Sequence, residues 1–234
     1  MDDTLFDHSL TCRAALARLR RDTVAVRGRP LDDLWHEYGR LLELAHTDVM
    51  LGRRTADEVR TERFLRLAAW SGHPIDRARA SELSRAYREY YQALRRPVRG
   101  APEVLRALSA RTRIGIVTNN TVAEQRGKIA FLHLERDVDF LVTSEEVGVA
   151  KPDPRIFRTA LEHAGSDPES AIMIGDSWED DVEGARGVGI PAIWFNRFHT
   201  PRPSVAPVPE FSRFGGSRQF ERLVARRQGL PSVR

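Results

Sequence analysis

The sequence predicts an α/β fold, a parallel sheet wrapped by helices, with a helical bundle inserted into it. From Glu103 onward, short apolar runs alternate with amphipathic helical patterns, the rhythm of strand–helix–strand units. Between Ser9 and Leu94 apolar residues recur only at helical spacing, with no strand pattern among them. Ala171–Asp181 (AIMIGDSWEDD) then sets a buried-strand pattern directly ahead of clustered acids. Open parallel sheets place their sites at such strand ends.

Met1–Asp7 (MDDTLFD) offers acids, a threonine and an apolar pair with no strand before them. The first helical stripe follows through Leu10, Ala14, Leu16, Ala17 and Leu19. A second runs through Leu31, Leu34, Tyr38, Leu41, Leu42 and Ala45, with Pro30 at its start. Val59, Phe64, Leu67 and Ala68 form a third, and Ala80, Leu83, Ala86, Tyr87, Tyr90 and Leu94 a fourth. Gly28, Gly52 and Gly72-His73-Pro74 punctuate them. After the turn-rich Pro97–Pro102, the spacing predicts helices at Glu103–Ala110, Val122–Leu132, Pro154–Ala164 and Val182–Val188. Strands are predicted at Ile114–Val117, Phe140–Val142, Ala171–Ile174 and Ala192–Phe195. Pro201–Pro209 reads as an irregular connection, and Ser217–Arg227 as a last helix.

Composition narrows the function classes. A chain of 234 residues can bury a proper core. The single Cys12 excludes an intramolecular disulfide, fits a reducing compartment and sits in a helical stripe as a packing residue. No apolar run approaches the roughly 18 residues that span a membrane, and the start is acidic, unlike a secretory signal. The expectation is a cytoplasmic protein with no membrane partner. The net charge of +4 comes from scattered arginine pairs, interleaved with acids, which describes a solvated surface and not a nucleic-acid groove.

Three strand ends carry polar groups: Thr118 and Asn119 after one, Lys151 after another and its loop, Asp176 and Asp181 after a third. In a parallel sheet these ends share one edge. A hydroxyl, backbone N–H groups and an ammonium can hold a phosphate there, and carboxylates can hold Mg²⁺ against it. Lys151 stands out in a chain whose only other lysine is Lys128; a compact ammonium suits a point contact to a phosphate oxygen. The same residues also fit a surface lysine and an acidic helix start capped by Asp176 or Ser177.

In order along the chain, Asp2-Asp3-Thr4-Leu5-Phe6, Val117-Thr118-Asn119, Ala150-Lys151-Pro152-Asp153 and Gly175-Asp176-Ser177 continuing to Asp181 resemble the motifs of the haloacid dehalogenase superfamily of hydrolases, mostly phosphatases. The resemblance runs from Asp2 to about Arg197. It implies a Rossmann-like core over residues 1–8 and 97–234 and a helical cap over 9–96 that covers the site. It implies that Thr118, with Asn119, binds the phosphoryl group, that Lys151 offsets its charge, and that Asp176 binds Mg²⁺ with Asp181 supporting the metal shell. Asp2 would be the general acid and then the base, its backbone carbonyl also reaching the metal; Asp180 would be a bystander. The substrate would be a small phosphorylated metabolite, the Ile193–Arg197 run and the Trp178 context being similar to small-molecule phosphatases that include nucleotidases. The protein would act as a monomer or homodimer.

One element of that pattern is absent. The superfamily's nucleophilic aspartate precedes the acid/base aspartate by two residues, at the end of the first core strand; with Asp2 as acid/base, both strand and nucleophile would precede Met1. Without that carboxylate no aspartyl-phosphate forms. The expectation is a natural start upstream and a Mg²⁺-dependent phosphatase. The alternatives are an inactive relative that binds phosphate esters or a partner, and a haloacid dehalogenase. The last also needs the missing aspartate, and its halide leaving group has no use for the acid Asp2.

Overall fold

The helical periodicity between Ser9 and Leu94 is realised as four helices, and the strand–helix alternation beyond it as parallel strands. The structure is a computed structural model that describes residues 1–50, 53–204 and 207–215. The chain divides into two units, one formed by Met1–Phe6 and the chain from Pro97, the other by Asp7–Arg96.

In the helical unit, α1 (His8–Asp22) starts at Asp7, whose carboxylate accepts from the Leu10 N–H at 3.2 Å. Helices α2 (Leu31–Met50), α3 (Ala56–Trp70) and α4 (Arg77–Ala93) follow. Thr55 and Glu58 form a reciprocal capping box at the start of α3, and Asp76 caps α4. The apolar stripes meet in a core of Leu16, Leu19, Leu34, Phe64, Leu67 and Leu83, all buried. Tyr38, Phe64 and Tyr87 pack there with ring centroids 5.0–6.0 Å apart.

In the other unit, α5 (Ala101–Ser109) leads to β1 (Gly115–Thr118), α6 (Val122–Phe131) and β2 (Phe140–Thr143). The short α7 (Ser144–Val147) and α8 (Pro154–Ala164) precede β3 (Met173–Gly175). A wide helical turn (Trp178–Glu183), α9 (Gly184–Arg186), β4 (Ala192–Phe195) and β5 (Glu210–Phe211) complete it. Strands β1 and β2 pair in parallel with Gly115 opposite Phe140; β3, β4 and β5 form a second parallel set with Met173 opposite Ala192 and Trp194 opposite Glu210. Every residue of β4 is buried, as a strand covered on both faces requires. Between β1 and β3, which pair with no common strand among the described residues, lies a cavity of about 170 Å³, lined by Ile116, Val117, Ile172 and Ile174 and floored by Val104 and Leu108 of α5.

Three expectations shift. Strand β5 was not expected; its two residues pair with β4, and their own pattern carries no signal. The helix after β3 begins at Trp178, earlier than Val182, because the Ser177 hydroxyl accepts from the Asp180 N–H at 3.1 Å and starts the turn there. The last helix expected at Ser217–Arg227 lies outside the described residues. No helix among the described residues is long and apolar enough to cross a membrane.

Phe64 is 1% exposed at the centre of the helical unit. Phe64→Ala is expected to cost about 3–5 kcal/mol in a denaturant titration, with the loss in the transition of that unit.

Candidate active site

Strand β3 ends at Gly175, and the lack of a side chain there shapes the site. A Cβ at Gly175 would stand 2.1 Å from Asp181 Oδ2, so only glycine lets that carboxylate fold back over the strand end. Asp181 is 4% exposed. It accepts from the Ser177 N–H at 3.0 Å and from Lys151 Nζ at 2.5 Å. The turn that aims it is wound wider than an α-helix, the Val182 N–H donating to the Ser177 carbonyl five residues back at 3.2 Å.

Lys151 is positioned by Asn119, just past β1. The Asn119 carbonyl oxygen accepts from the Lys151 N–H at 2.6 Å, and its amide nitrogen donates to the Lys151 carbonyl at 3.0 Å. Burial alone would push the Lys151 ammonium down; the charge and hydrogen bond of Asp181, with Asp176 and Asp180 behind it, raise it overall. Lys151 is therefore a firm cation. Asp176 follows Gly175, accepts from the Thr4 hydroxyl at 2.8 Å, and has its backbone carbonyl bonded by Trp194 Nε1 at 2.9 Å. Burial first, and then the Asp181 charge, push the Asp176 carboxyl up to about 6, against the pull of the N-terminal ammonium and the Thr4 hydroxyl.

The structure thus brings Asn119, Lys151, Asp176 and Asp181 together, with Thr118 buried at the end of β1. Asp2 is placed elsewhere. Its carboxylate accepts from Lys128 Nζ at 2.7 Å, Gln125 Nε2 at 3.1 Å and Asn120 Nδ2 at 3.3 Å. The tight loop at Met1–Phe6 does this: the Leu5 and Phe6 N–H groups both donate to the Met1 carbonyl, and Asp3 takes a left-handed φ of 52°. Asp3 lies 3.6 Å from Arg197 Nη1. Sequence reasoning named Thr4, Gly175 and Ser177 within the motifs, and Ser177 as a helix cap, without giving Thr4 or Gly175 a contact at the site, and it gave Lys128 no part in it. Lys128 had a signal, being the chain's other lysine, and it is 2% exposed.

Among the described residues, no three acidic, histidine or cysteine side chains converge as a ready metal cage. The donor set still fits a hard divalent cation. Asp176 and Asp181 are neighbouring oxygen donors, close enough that the Asp181 charge adds to burial in raising the Asp176 carboxyl. Such sites complete their shell with water and substrate oxygens.

The family model described as haloacid dehalogenase-like hydrolase matches residues 1–189. Pyrimidine 5'-nucleotidase YjjG of Escherichia coli is 41% identical over 113 residues, 47% of this chain and 50% of that protein. Phosphoserine phosphatase of Thermus thermophilus is 35% identical over 158 residues, 60% of this chain and 62% of that protein. The chain thus spans half to three-fifths of these curated relatives. The crystal structure of the HAD hydrolase YfnB from Bacillus subtilis, bound to magnesium, superposes with a TM-score of 0.73 at 23% identity. It covers 98% of this chain and 96% of that one, a likeness of fold.

Two outcomes are expected. Gly175→Ala displaces Asp181 from Lys151 and the Ser177 N–H, lowering stability by about 1–3 kcal/mol in chemical denaturation. Asp176 titrates near 6 in the folded chain against an ordinary 3.8, so the folded state holds the extra proton between those values. Its destabilising charge therefore grows as pH rises through that window and is complete above it. Without divalent metal at pH 7, Asp176→Asn should raise Tm by about 2–6 °C, and the gain should vanish below pH 4.

Proposed function

Because the chain belongs to the haloacid dehalogenase-like hydrolases, we propose that it is a Mg²⁺-dependent hydrolase of small phosphate monoesters. The observation that carries this reading is the Lys151 ammonium, clamped by Asn119 and paired with Asp181 beside Asp176, at the carboxyl ends of β1 and β3. An anion centred there meets a fixed positive charge, and the two carboxylates would hold Mg²⁺, which supplies further charge neutralisation on the phosphoryl oxygens.

In this reading Thr118 donates to a phosphoryl oxygen and Asn119 keeps Lys151 aimed at it. The attacking carboxylate comes from an apolar strand seated between β1 and β3, ending in aspartate, and forms an aspartyl-phosphate that water then hydrolyses. Asp2 protonates the leaving oxygen and afterwards takes a proton from the attacking water. To do so its carboxylate turns away from Lys128, Gln125 and Asn120. The substrate is a small phosphorylated metabolite; relatives named for a pyrimidine nucleotidase and a phosphoserine phosphatase support that class, nucleotides included. A second reading, phosphate-ester binding without turnover, draws on the Asp2 placement, because an acid tied to Lys128 leaves the site without its proton donor.

Hydrolysis of an aryl phosphate with Mg²⁺ separates the two. Three proteins are compared: the chain itself, the chain with an apolar strand and aspartate added ahead of Met1, and that longer chain with the aspartate changed to asparagine. The second should turn over, and the first and third should be slower by up to ~10⁶. Robust turnover by the first would overturn the missing-carboxylate argument; binding without turnover by the second would establish the alternative. In the active protein Asp176→Asn should abolish Mg²⁺-dependent activity while Asp180→Asn leaves most of it. Lys151→Arg should lower kcat/KM by about tenfold or more, since a planar guanidinium does not fit where an ammonium is clamped.

A further inference from the structure

Two indoles grip the backbone that carries Asp176, and one guanidinium lies over both. The β3–β4 ladder ends with Gly175 opposite Trp194. The Asp176 carbonyl, one residue past that pair, is bonded by Trp194 Nε1 at 2.9 Å. Trp178, two residues beyond Asp176, packs edge-on against the same indole, with ring centroids 5.0 Å apart. Trp194 is buried and shares its core cluster with Val182, Ala192 and Val208, so close packing holds its ring in place.

Arg202 closes this arrangement. Its Cζ lies 5.6 Å from the Trp178 ring centroid and 5.9 Å from that of Trp194, within cation–π range of both. The guanidinium is itself held as a fork. Its Nη1 donates to the Val208 carbonyl at 3.0 Å and its Nη2 to Glu210 Oε2 at 2.7 Å. Glu210 is the β5 residue opposite Trp194, and its other carboxylate oxygen accepts from the buried Asn196 amide at 2.9 Å. Both hydrogen-bond partners of the fork are thus tied to Trp194, Val208 by packing and Glu210 by the ladder.

We propose that Arg202 is a positioning residue for a divalent cation at Asp176. By holding the Trp178–Trp194 pair it keeps the Trp194 N–H on the Asp176 carbonyl, and so keeps the Asp176 carboxylate aimed beside Asp181. The inference rests on the reading of Asp176 and Asp181 as Mg²⁺ donors. Carboxylates that bind metals depend on such outer contacts for their orientation. The sign of the effect separates positioning from charge. Arg202 is a cation and repels another cation nearby, so removing it would tighten metal binding if its charge were its only influence. Positioning requires the opposite, weaker binding once Arg202 is lost. Lysine does not restore it, since an ammonium has no planar fork to engage Val208 and Glu210 while lying over two rings.

The test uses the full chain and Mn²⁺ alone, with free Mn²⁺ counted by electron paramagnetic resonance and Mg²⁺ then added as competitor. Arg202→Met and Arg202→Lys should each weaken binding by about tenfold. Trp194→Phe, which keeps a ring and loses the N–H, should do the same. Adding Arg202→Met to Trp194→Phe should change little, because both act through one hydrogen bond. Ile193→Val, in the same strand but in the separate cluster with Val104, should leave the affinity unchanged. Replacing the tryptophans by 5-fluorotryptophan gives a metal-free readout: the Trp194 fluorine resonance, assigned by its loss in Trp194→Phe, should move in both Arg202 variants. Should Arg202→Met fold poorly by circular dichroism, Arg202→Lys decides. Unchanged or tighter Mn²⁺ binding in the Arg202 variants overturns the proposal. So does a full sum of losses in the double variant, equal weakening by Ile193→Val, or a Trp194 resonance that stays in place. A parent chain that binds no Mn²⁺ overturns it together with the Mg²⁺ reading, whereas parent binding that Arg202 does not affect overturns it alone.

Discussion

The ion pair between Lys151 and Asp181 is the constraint on which the site depends. Both side chains are nearly withdrawn from water, at 8% and 6% exposure. Each therefore carries a desolvation cost that its partner offsets, with help from the Ser177 N–H on Asp181 and the nearby Asp176 and Asp180 charges on Lys151. Satisfying that pair dictates several local features together. Gly175 must lack a side chain so that Asp181 can reach inward. The Ser177 N–H must point at the same carboxylate, which the wide turn achieves by bonding Val182 back to Ser177. Asn119 must hold the Lys151 backbone from the far side. Loosening one of these exposes the others, because breaking a buried pair costs more than the pair contributes.

The residues of this cluster were legible in the sequence because they sit at strand ends, and strand ends are marked by local patterns. Ile114–Val117 is an apolar run followed by Thr118 and Asn119; Ala171–Ile174 is another, followed by Gly175 and Asp176. The four helices of Asp7–Arg96 were legible for a similar reason, since their stripes repeat with the helical period over more than two turns. Strand β5 was not, because two residues cannot display a period and Glu210–Phe211 owe their conformation to Trp194 and Phe195. The link between Gly175 and Asp181 was close in sequence yet hidden, because it depends on which way the turn winds.

Asp2 and Asp176 illustrate how far side-chain placement escapes local reading. Both are acids in the motifs that resemble one superfamily, yet they end in different company. Asp176 follows a paired strand, so its backbone is set by β4 and by Trp194 Nε1. Asp2 belongs to a short loop closed on the Met1 carbonyl, and its carboxylate goes to the strongest available donor, the buried Lys128 ammonium more than a hundred residues on. Thr4 then bonds Asp176. The loop therefore brings the Thr4 hydroxyl and the N-terminal ammonium to bear on Asp176 and sends the Asp2 carboxylate to α6.

The cleft and the loop are connected through Met1, Thr4 and Leu5, which line the same cavity as β1 and β3. Leu5 is in turn fixed by the Val98 N–H, which donates to its carbonyl at 2.8 Å. Among the described residues no strand pairs with both β1 and β3, and no sheet ladder fixes the direction of Met1 and Asp2. The loop then satisfies its own backbone groups by closing on Met1. A strand hydrogen-bonded on both sides would fix that direction at the carboxyl ends of β1 and β3, beside Asp176 and Asp181, because parallel ladders leave little freedom to their exits.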